Sequence, residues 1–378
     1  MTRLAPWPFA ALPAFPAERY SALGERIGRV LGAEEHDVVL VPGEAIVALE
    51  AAAREAGGSR RRFLNVATSV YGRLFGDWLA DAGGEVTTVS AAVAGQPVAI
   101  DEIRAALSAG RFDAISFVHG EAATGIVNPI ADILAEARGH GLVAIVDAVA
   151  SVGAEPLALG EDGPDIVVVG PQKGLRGPAG VSAVAINARG WSFLARPPRR
   201  ASLSSLSLLD IRRDWIDSDR TAIPGTPAPH ELWALDAALD AIEHEGIDVV
   251  VARHRLAARA ARSGARALGI ATWTDDEERS SGLTTGVLLP QDADRARVIA
   301  LAQALFGVTL AVGPEGVDPR LVRIRHTAAE AAFEPVLAAV AALGGALVAA
   351  GADADIAAGA AAVVSVYAEA RHDDAHKD

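Results

Sequence analysis

Ile166 to Val169 form an unbroken β-branched run, and Gly170 and Pro171 end it at once. No face of this stretch is polar, so it suits a strand covered on both sides, as in a parallel sheet between helices. The Gly-Pro pair turns the chain off the sheet. Gln172 and Lys173 come next, with Gly174, Gly177 and Gly180 close behind. An ammonium at the mouth of a buried strand is unfavourable unless its desolvation serves a purpose. Desolvation lowers a lysine pKa and frees a neutral amine, which forms a Schiff base with an aldehyde. Taken alone, Lys173 reads as a surface-loop lysine. Asp147 alters that balance, because it ends a second buried run, Leu142 to Val146, one short crossover upstream. A carboxylate there can keep a pyridine nitrogen protonated, which makes the ring an electron sink. Lysine for an aldehyde and aspartate for a ring nitrogen together specify a vitamin B6 site.

The flanking segments alternate in the same way. Helices are expected at Ala17 to Leu31, Ala45 to Ala56, Ile100 to Ser108 and Ile130 to His140. Strands are expected at Asp37 to Val41, from Asn65, at Glu85 to Val89, from Ala114 and at Ser182 to Asn187. This rhythm is an α/β sheet with helices on both faces. Its ligand crevice lies at the carboxyl ends of the strands, where Gly43, Glu121, Asp147 and Lys173 fall. Arg60 to Arg62 read as a solvated charge run, and His119 as a satisfied strand-end histidine with no role.

Residues 196–222, with Pro197, Pro198 and several serines, read as an irregular cover over a site or a subunit contact. Helices follow at Pro229 to His244 and Asp248 to Leu268. Strands are then expected near Thr285 to Leu289, Gly307 to Val312 and Leu321 to His326, and helices near Asp292 to Leu305 and Pro335 to Ala349. Arg371 to Asp378 read as a solvated tail. The 378 residues divide into an ordered arm (1–20), a large domain (21–245) and a smaller α+β domain (246–378).

Cysteine is absent, which excludes disulfides, thiolate metal sites and sulfur carriage on an enzyme cysteine. The net charge of −14 argues against nucleic acid or acidic membrane as partner. With no signal-like start and no apolar run expected to span a bilayer, a cytoplasmic location is expected.

Asp147-Ala148-Val149-Ala150-Ser151-Val152-Gly153-Ala154 and Gly170-Pro171-Gln172-Lys173-Gly174 resemble the matching blocks of the class V aminotransferases of fold type I, the alanine–glyoxylate aminotransferase group. The resemblance runs from about Val39 to Ala368. It implies a seven-stranded, mostly parallel sheet, a smaller carboxyl-terminal domain, and a homodimer with shared sites acting on a small amino donor and a keto acid. It also implies roles. Lys173 is the Schiff-base lysine and Asp147 the ring-nitrogen partner, with Val149 and Gln172 beside them. Tyr71 stacks on the ring, and Thr124 bonds the ring oxygen or phosphate side while Glu121 helps orient the site. Thr226 reaches into the other subunit, and Arg323, in Val322-Arg323-Ile324, clamps the substrate carboxylate.

Three departures matter. The family keeps small hydroxyl residues and glycines at the turn before the second helix, where this chain has Gly43-Glu44-Ala45. After Arg323 it has Arg325-His326-Thr327-Ala328 instead of a glycine-rich pair. Pro314 stands where close relatives carry a second arginine, for which Arg325 is a possible substitute. Gly43-Glu44, Val70-Tyr71-Gly72, Asn128-Pro129-Ile130 and Ala252-Arg253-His254 resemble the branch that uses pyridoxamine. A turn between strand and helix normally holds a phosphate on free amides. Glu44 there favours unphosphorylated pyridoxal or pyridoxamine as substrate, with pyridoxal 5′-phosphate as the alternative. A lyase or epimerase on the same scaffold, and a non-enzymatic binding module, are the competing readings.

Overall fold

The structure, a computed structural model, describes residues 12–33, 35–58, 60–157, 159–160, 162–195, 204–221 and 223–375. Trp7 and Phe9 of the expected arm lie outside them. Phe15 is buried, edge-on to Trp233 with centroids 4.7 Å apart, and the Trp233 indole donates to the Pro13 carbonyl at 3.1 Å.

Helix α1 (Ala17–Val30) precedes β1 (Asp37–Pro42) and α2 (Ala45–Ala56). Then come β2 (Arg62–Ala67), α3 (Val70–Asp81), β3 (Glu85–Ser90), α4 (Ile100–Ala109) and β4 (Ala114–Val118). A small hairpin, β5 (Gly120–Glu121) and β6 (Ile126–Val127), leads to α5 (Ile130–Gly139), β7 (Val143–Asp147), β8 (Ile166–Val169) and β9 (Val181–Ile186). The order across the sheet is β1-β9-β8-β7-β4-β2-β3. Only β9 runs against its neighbours. Strands β4, β7, β8 and β9 are buried at every residue, because helices pack on both faces. Two apolar layers result, one around Ile115, Val146 and Val167, the other around Ala52, Ile145 and Val168.

The fold places Asp147 at the carboxyl end of β7 and Lys173 just past β8, in the crevice expected for an open α/β sheet. Close backbone approach fixes the lysine turn. A Cβ on Gly174 would fall 2.3 Å from the Val152 carbonyl oxygen, so only glycine fits. Gly43 has φ +129°, which turns β1 abruptly into α2.

Beyond α6 (Ala188–Leu194), the expected irregular stretch contains α7 (Leu208–Ile211) and a π-helical turn at Arg212–Ile216. Residues 196–203 lie outside the described part. After α8 (Pro229–Glu245) and α9 (Ile247–Ala267) comes a second sheet. Its strands are β10 (Ala271–Thr272), β11 (Thr284–Leu288), β12 (Ala311–Val312) and β13 (Leu321–Arg325), ordered β10-β11-β13-β12, with α10 (Arg295–Phe306) between β11 and β12. It packs with α9, α11 (Phe333–Ala350) and α12 (Ile356–Ala375) around a core of its own. The strand expected from Gly307 begins only at Ala311, because Gly307 closes α10 in a left-handed conformation. Helix α12 replaces much of the expected solvated tail. Contrary to expectation, α11 is long and apolar enough to cross a membrane by length and composition. Its Val336, Val340, Leu343 and Leu347 are buried in the second core.

Arg61 also departs from expectation. Its guanidinium is buried, donates to the Ala56 and Phe193 carbonyls, and lies over the Phe193 ring at 4.4 Å.

Candidate active site

The ends of β4, β7 and β8, the start of α2 and the start of α3 converge on one small cavity of about 90 Å³. Lys173, Asp147, Glu44, Tyr71, Glu121 and Val149 line it, with Ala45 at the helix end. The Lys173 ammonium lies over the Tyr71 ring, Nζ 5.9 Å from its centroid. Tyr71 is 42% exposed, so the cavity opens along that ring.

Asp147 is buried. Its Oδ1 accepts from the Val149 amide at 2.9 Å, and no other hydrogen bond reaches the carboxyl among the described residues. Burial pushes its pKa up to about 6, against the Val149 amide and the Lys173 charge. A cationic ring N–H beside it would restore the carboxylate. The donor set therefore fits a pyridine ring bearing an aldehyde or aminomethyl group. It offers one buried acceptor for the ring nitrogen, one amine for the exocyclic carbon and one aromatic face for stacking.

Glu44 caps α2. Its Oε2 accepts from the Ile46 amide at 3.0 Å, and Oε1 accepts from the Gln172 side chain. A carboxylate thus occupies the helix amino-terminus, the place where a phosphate gains from free amides and the helix dipole.

Glu121 is fully buried on the cavity wall and accepts from the Thr68 hydroxyl at 2.7 Å. The Asn128 amide donates to Thr68 at 3.0 Å and to the Val118 carbonyl at 2.8 Å. Burial drives Glu121 up to about 7 against hydrogen bonds from Thr68 and Ser69, and the Asp147 charge adds to the rise. Glu121 is legible in the sequence, whereas the Thr68 and Asn128 supports are not. Thr124 is buried with an unpartnered hydroxyl and is not among the cavity-lining residues. His119, expected to be satisfied, is fully buried with Nδ1 unpartnered and its pKa lowered by burial to about 4. Gly43 shapes the turn behind Glu44 without lining the cavity, and Gln172 acts on Glu44 from outside it. Thr226 is exposed on the loop before α8.

Arg323 reaches across from β13. It donates to the carbonyl of Ala122, a cavity-lining residue, at 2.7 Å, and to the Val312 carbonyl through Nε at 3.1 Å and Nη2 at 2.8 Å. Those three bonds leave two of five guanidinium N–H groups without a partner among the described residues. Arg325 lies two residues on, half-exposed and 4.0 Å from Glu330. Pro314 offers no donor, and Arg320 is held by Asp318 at 2.7 Å.

A sequence model of the family described as aminotransferase class-V matches residues 17–330. The chain is 33% identical over 315 residues to pyridoxamine–pyruvate transaminase of Mesorhizobium japonicum, spanning 83% of this chain and 79% of that one. It is 31% identical over 220 residues to serine–glyoxylate aminotransferase of Arabidopsis thaliana, spanning 56% and 53%. The crystal structure of pyridoxamine–pyruvate aminotransferase from Mesorhizobium loti superposes with a TM-score of 0.86 at 31% identity, over 93% of this chain and 89% of that one. The sheet therefore stands in a known frame, and the chain belongs to the class V aminotransferases, enzymes of fold type I that transfer amino groups.

Proposed function

We propose that this transaminase moves the amino group of pyridoxamine to a small 2-keto acid such as pyruvate or glyoxylate, releasing pyridoxal and the amino acid. The observation that carries this reading is Glu44, which caps α2 in the same cavity that Lys173 and Asp147 line. The ring, when bound, supplies the electron sink for the chemistry.

The chain's own residues divide the remaining work. Asp147 accepts the ring N–H. Tyr71 covers one ring face. Lys173 Nζ takes the proton from the carbon that carries the departing amine and returns it to the carbon that receives it. Glu44 accepts a hydrogen bond from the ring's 5′-hydroxyl, and the two free Arg323 N–H groups hold the keto-acid carboxylate. A homodimer is part of the proposal. Val70 and the cavity-lining Tyr71, at the start of α3, are both more than 40% exposed, and a second copy there would bring its own Thr226 loop.

The serine–glyoxylate relatives favour a second reading, pyridoxal 5′-phosphate held as resident cofactor with an amino acid as donor. That reading places the phosphate beside Glu44 and the buried Thr124. The test is incubation with pyridoxamine plus pyruvate or glyoxylate, with product identification, for wild type and Lys173→Ala. Pyridoxal and an amino acid should appear with wild type alone. Amino transfer only with added pyridoxal phosphate and an amino-acid donor would overturn the proposal.

A further inference from the structure

A second cavity, about 730 Å³, lies away from Lys173, between α9, the turn at Glu277–Arg279, Gly282 and Ala370 of α12. That volume is in the range of small-ligand sites. Arg255, Arg259 and Arg262 line it from one face of α9, at i, i+4 and i+7. Glu277 is the one acid on its wall. In a chain of net charge −14 this is a local reversal, because α9 carries five arginines and only Asp248 as an acid.

The donors are only partly spent. The Arg262 side chain is 6% exposed. Its Nε and Nη2 go to Glu277, while Nη1 is buried without a partner. Arg255 uses Nη1 on Glu155 at 3.2 Å. Arg259 is exposed and forms no ion pair among the described residues. Arg253, also on the wall, is committed to Glu245 and the Ala328 carbonyl. Arg253, Arg255 and Arg262 are each paired with a carboxylate, so the uncompensated positive charge on this wall is Arg259 at the rim, with the Arg255 guanidinium one turn away. Planar guanidinium forks match phosphate and carboxylate oxygens bidentately. An anion here would use the exposed N–H groups of Arg259 and those that Arg255 does not spend on Glu155.

We propose that this cavity is a binding site for a small, multiply charged oxyanion of phosphate or polycarboxylate type, separate from the Lys173 site. The expected occupant sits between Arg255 and Arg259, with Arg262 behind them.

The test is calorimetric titration of the full-length protein, loaded with pyridoxal, using inorganic phosphate and citrate at ionic strength matched with chloride. Wild type should bind at least one of them saturably, one per chain. Arg259→Ala, an exposed change that leaves the fold intact, should weaken binding at least tenfold, with partial recovery in Arg259→Lys. Lys173→Ala should bind as wild type does. Saturation by phosphate alone marks the site as one for phosphate esters, and by citrate alone as one for polycarboxylates. Absence of saturable binding by either anion overturns the proposal. So does binding lost in Lys173→Ala but kept in Arg259→Ala, or equal in all variants.

Discussion

Gln172 donates its side-chain amide to Glu44 and so fixes the carboxylate over the first turn of α2, where Oε2 accepts from the Ile46 amide. The helix amino-terminus is thereby occupied from within. A dianionic phosphate beside Glu44, an exposed carboxylate, would meet repulsion of about 1–4 kcal/mol per charge pair at 4 Å, between the dielectric of water and that near a protein surface. A hydroxyl at the same place gains a charge-assisted bond of about 1.5–3 kcal/mol. Wild type should therefore bind pyridoxal more tightly than its phosphate, and Glu44→Ala should shift that preference toward the phosphate by about tenfold or more. Fluorescence or absorbance titration of both ligands checks this. Tight phosphate binding that is unchanged in the variant would show that Glu44 does not set the ligand preference.

Lys173→Ala should lower turnover by at least about a thousandfold, since a positioned proton carrier contributes about 10²–10⁴ and the covalent anchor is lost as well. The visible band that forms on adding pyridoxal to wild type should be missing. Asp147→Asn should keep that band and lose most of the turnover, because an amide cannot hold the ring nitrogen protonated. Asp147→Asn activity near that of wild type would count against its assigned role.

How far the sequence discloses this site depends on distance along the chain. Lys173 and Asp147 are legible because each follows an apolar run that can only be an interior strand. Glu121 stands in the same kind of place after β4. The bonds from Thr68 to Glu121 and from Asn128 to Thr68 join residues 53 and 60 positions apart, and no local pattern carries them. Arg61 shows the opposite failure. A run of three arginines looks solvated, yet tertiary packing supplies two carbonyls and an aromatic face that satisfy the middle one. Helix α12 packs along α9 and runs on to Ala375, into charged residues that read as a solvated tail.

Arg323 has two duties, and its variants should separate them. Arg323→Lys keeps a charge but loses the fork, and should raise KM for keto acids by about tenfold or more, with a smaller change in kcat. Arg323→Ala should also loosen the tie to Ala122, and so lower kcat as well. With Arg320 held by Asp318 and Arg325 facing Glu330, Pro314→Arg should lower KM for pyruvate. Michaelis constants for pyruvate and glyoxylate decide this. Values that Pro314→Arg leaves unchanged would show that this position does not face the acceptor.

The ligand-free protein should become less stable as pH rises toward neutrality; two buried glutamates raised alike, Glu155 and Glu121, are the largest identifiable causes, and Glu121 is the one in the active site. Its folded pKa, about 7, stands above the ordinary 4.5. The folded state therefore holds a proton that the unfolded chain has released over that interval, and stability falls as pH climbs from about 4.5 to about 7. A shift of this size corresponds to a loss on the order of 3 kcal/mol by pH 8. Asp147, raised to about 6, adds in the same direction. Buried neutral His119 and His326, lowered to about 4 and about 3, act the other way. Their contribution is present above the ordinary histidine pKa of 6.5 and is lost as pH falls from there toward their folded values. Glu121→Gln keeps an acceptor for the Thr68 hydroxyl and removes the titration. Relative to wild type, it should gain stability at pH 8 and gain little at pH 5, as read by urea denaturation at both pH values. Parallel curves for the two proteins would mean that Glu121 ionises in the folded state as it does in water.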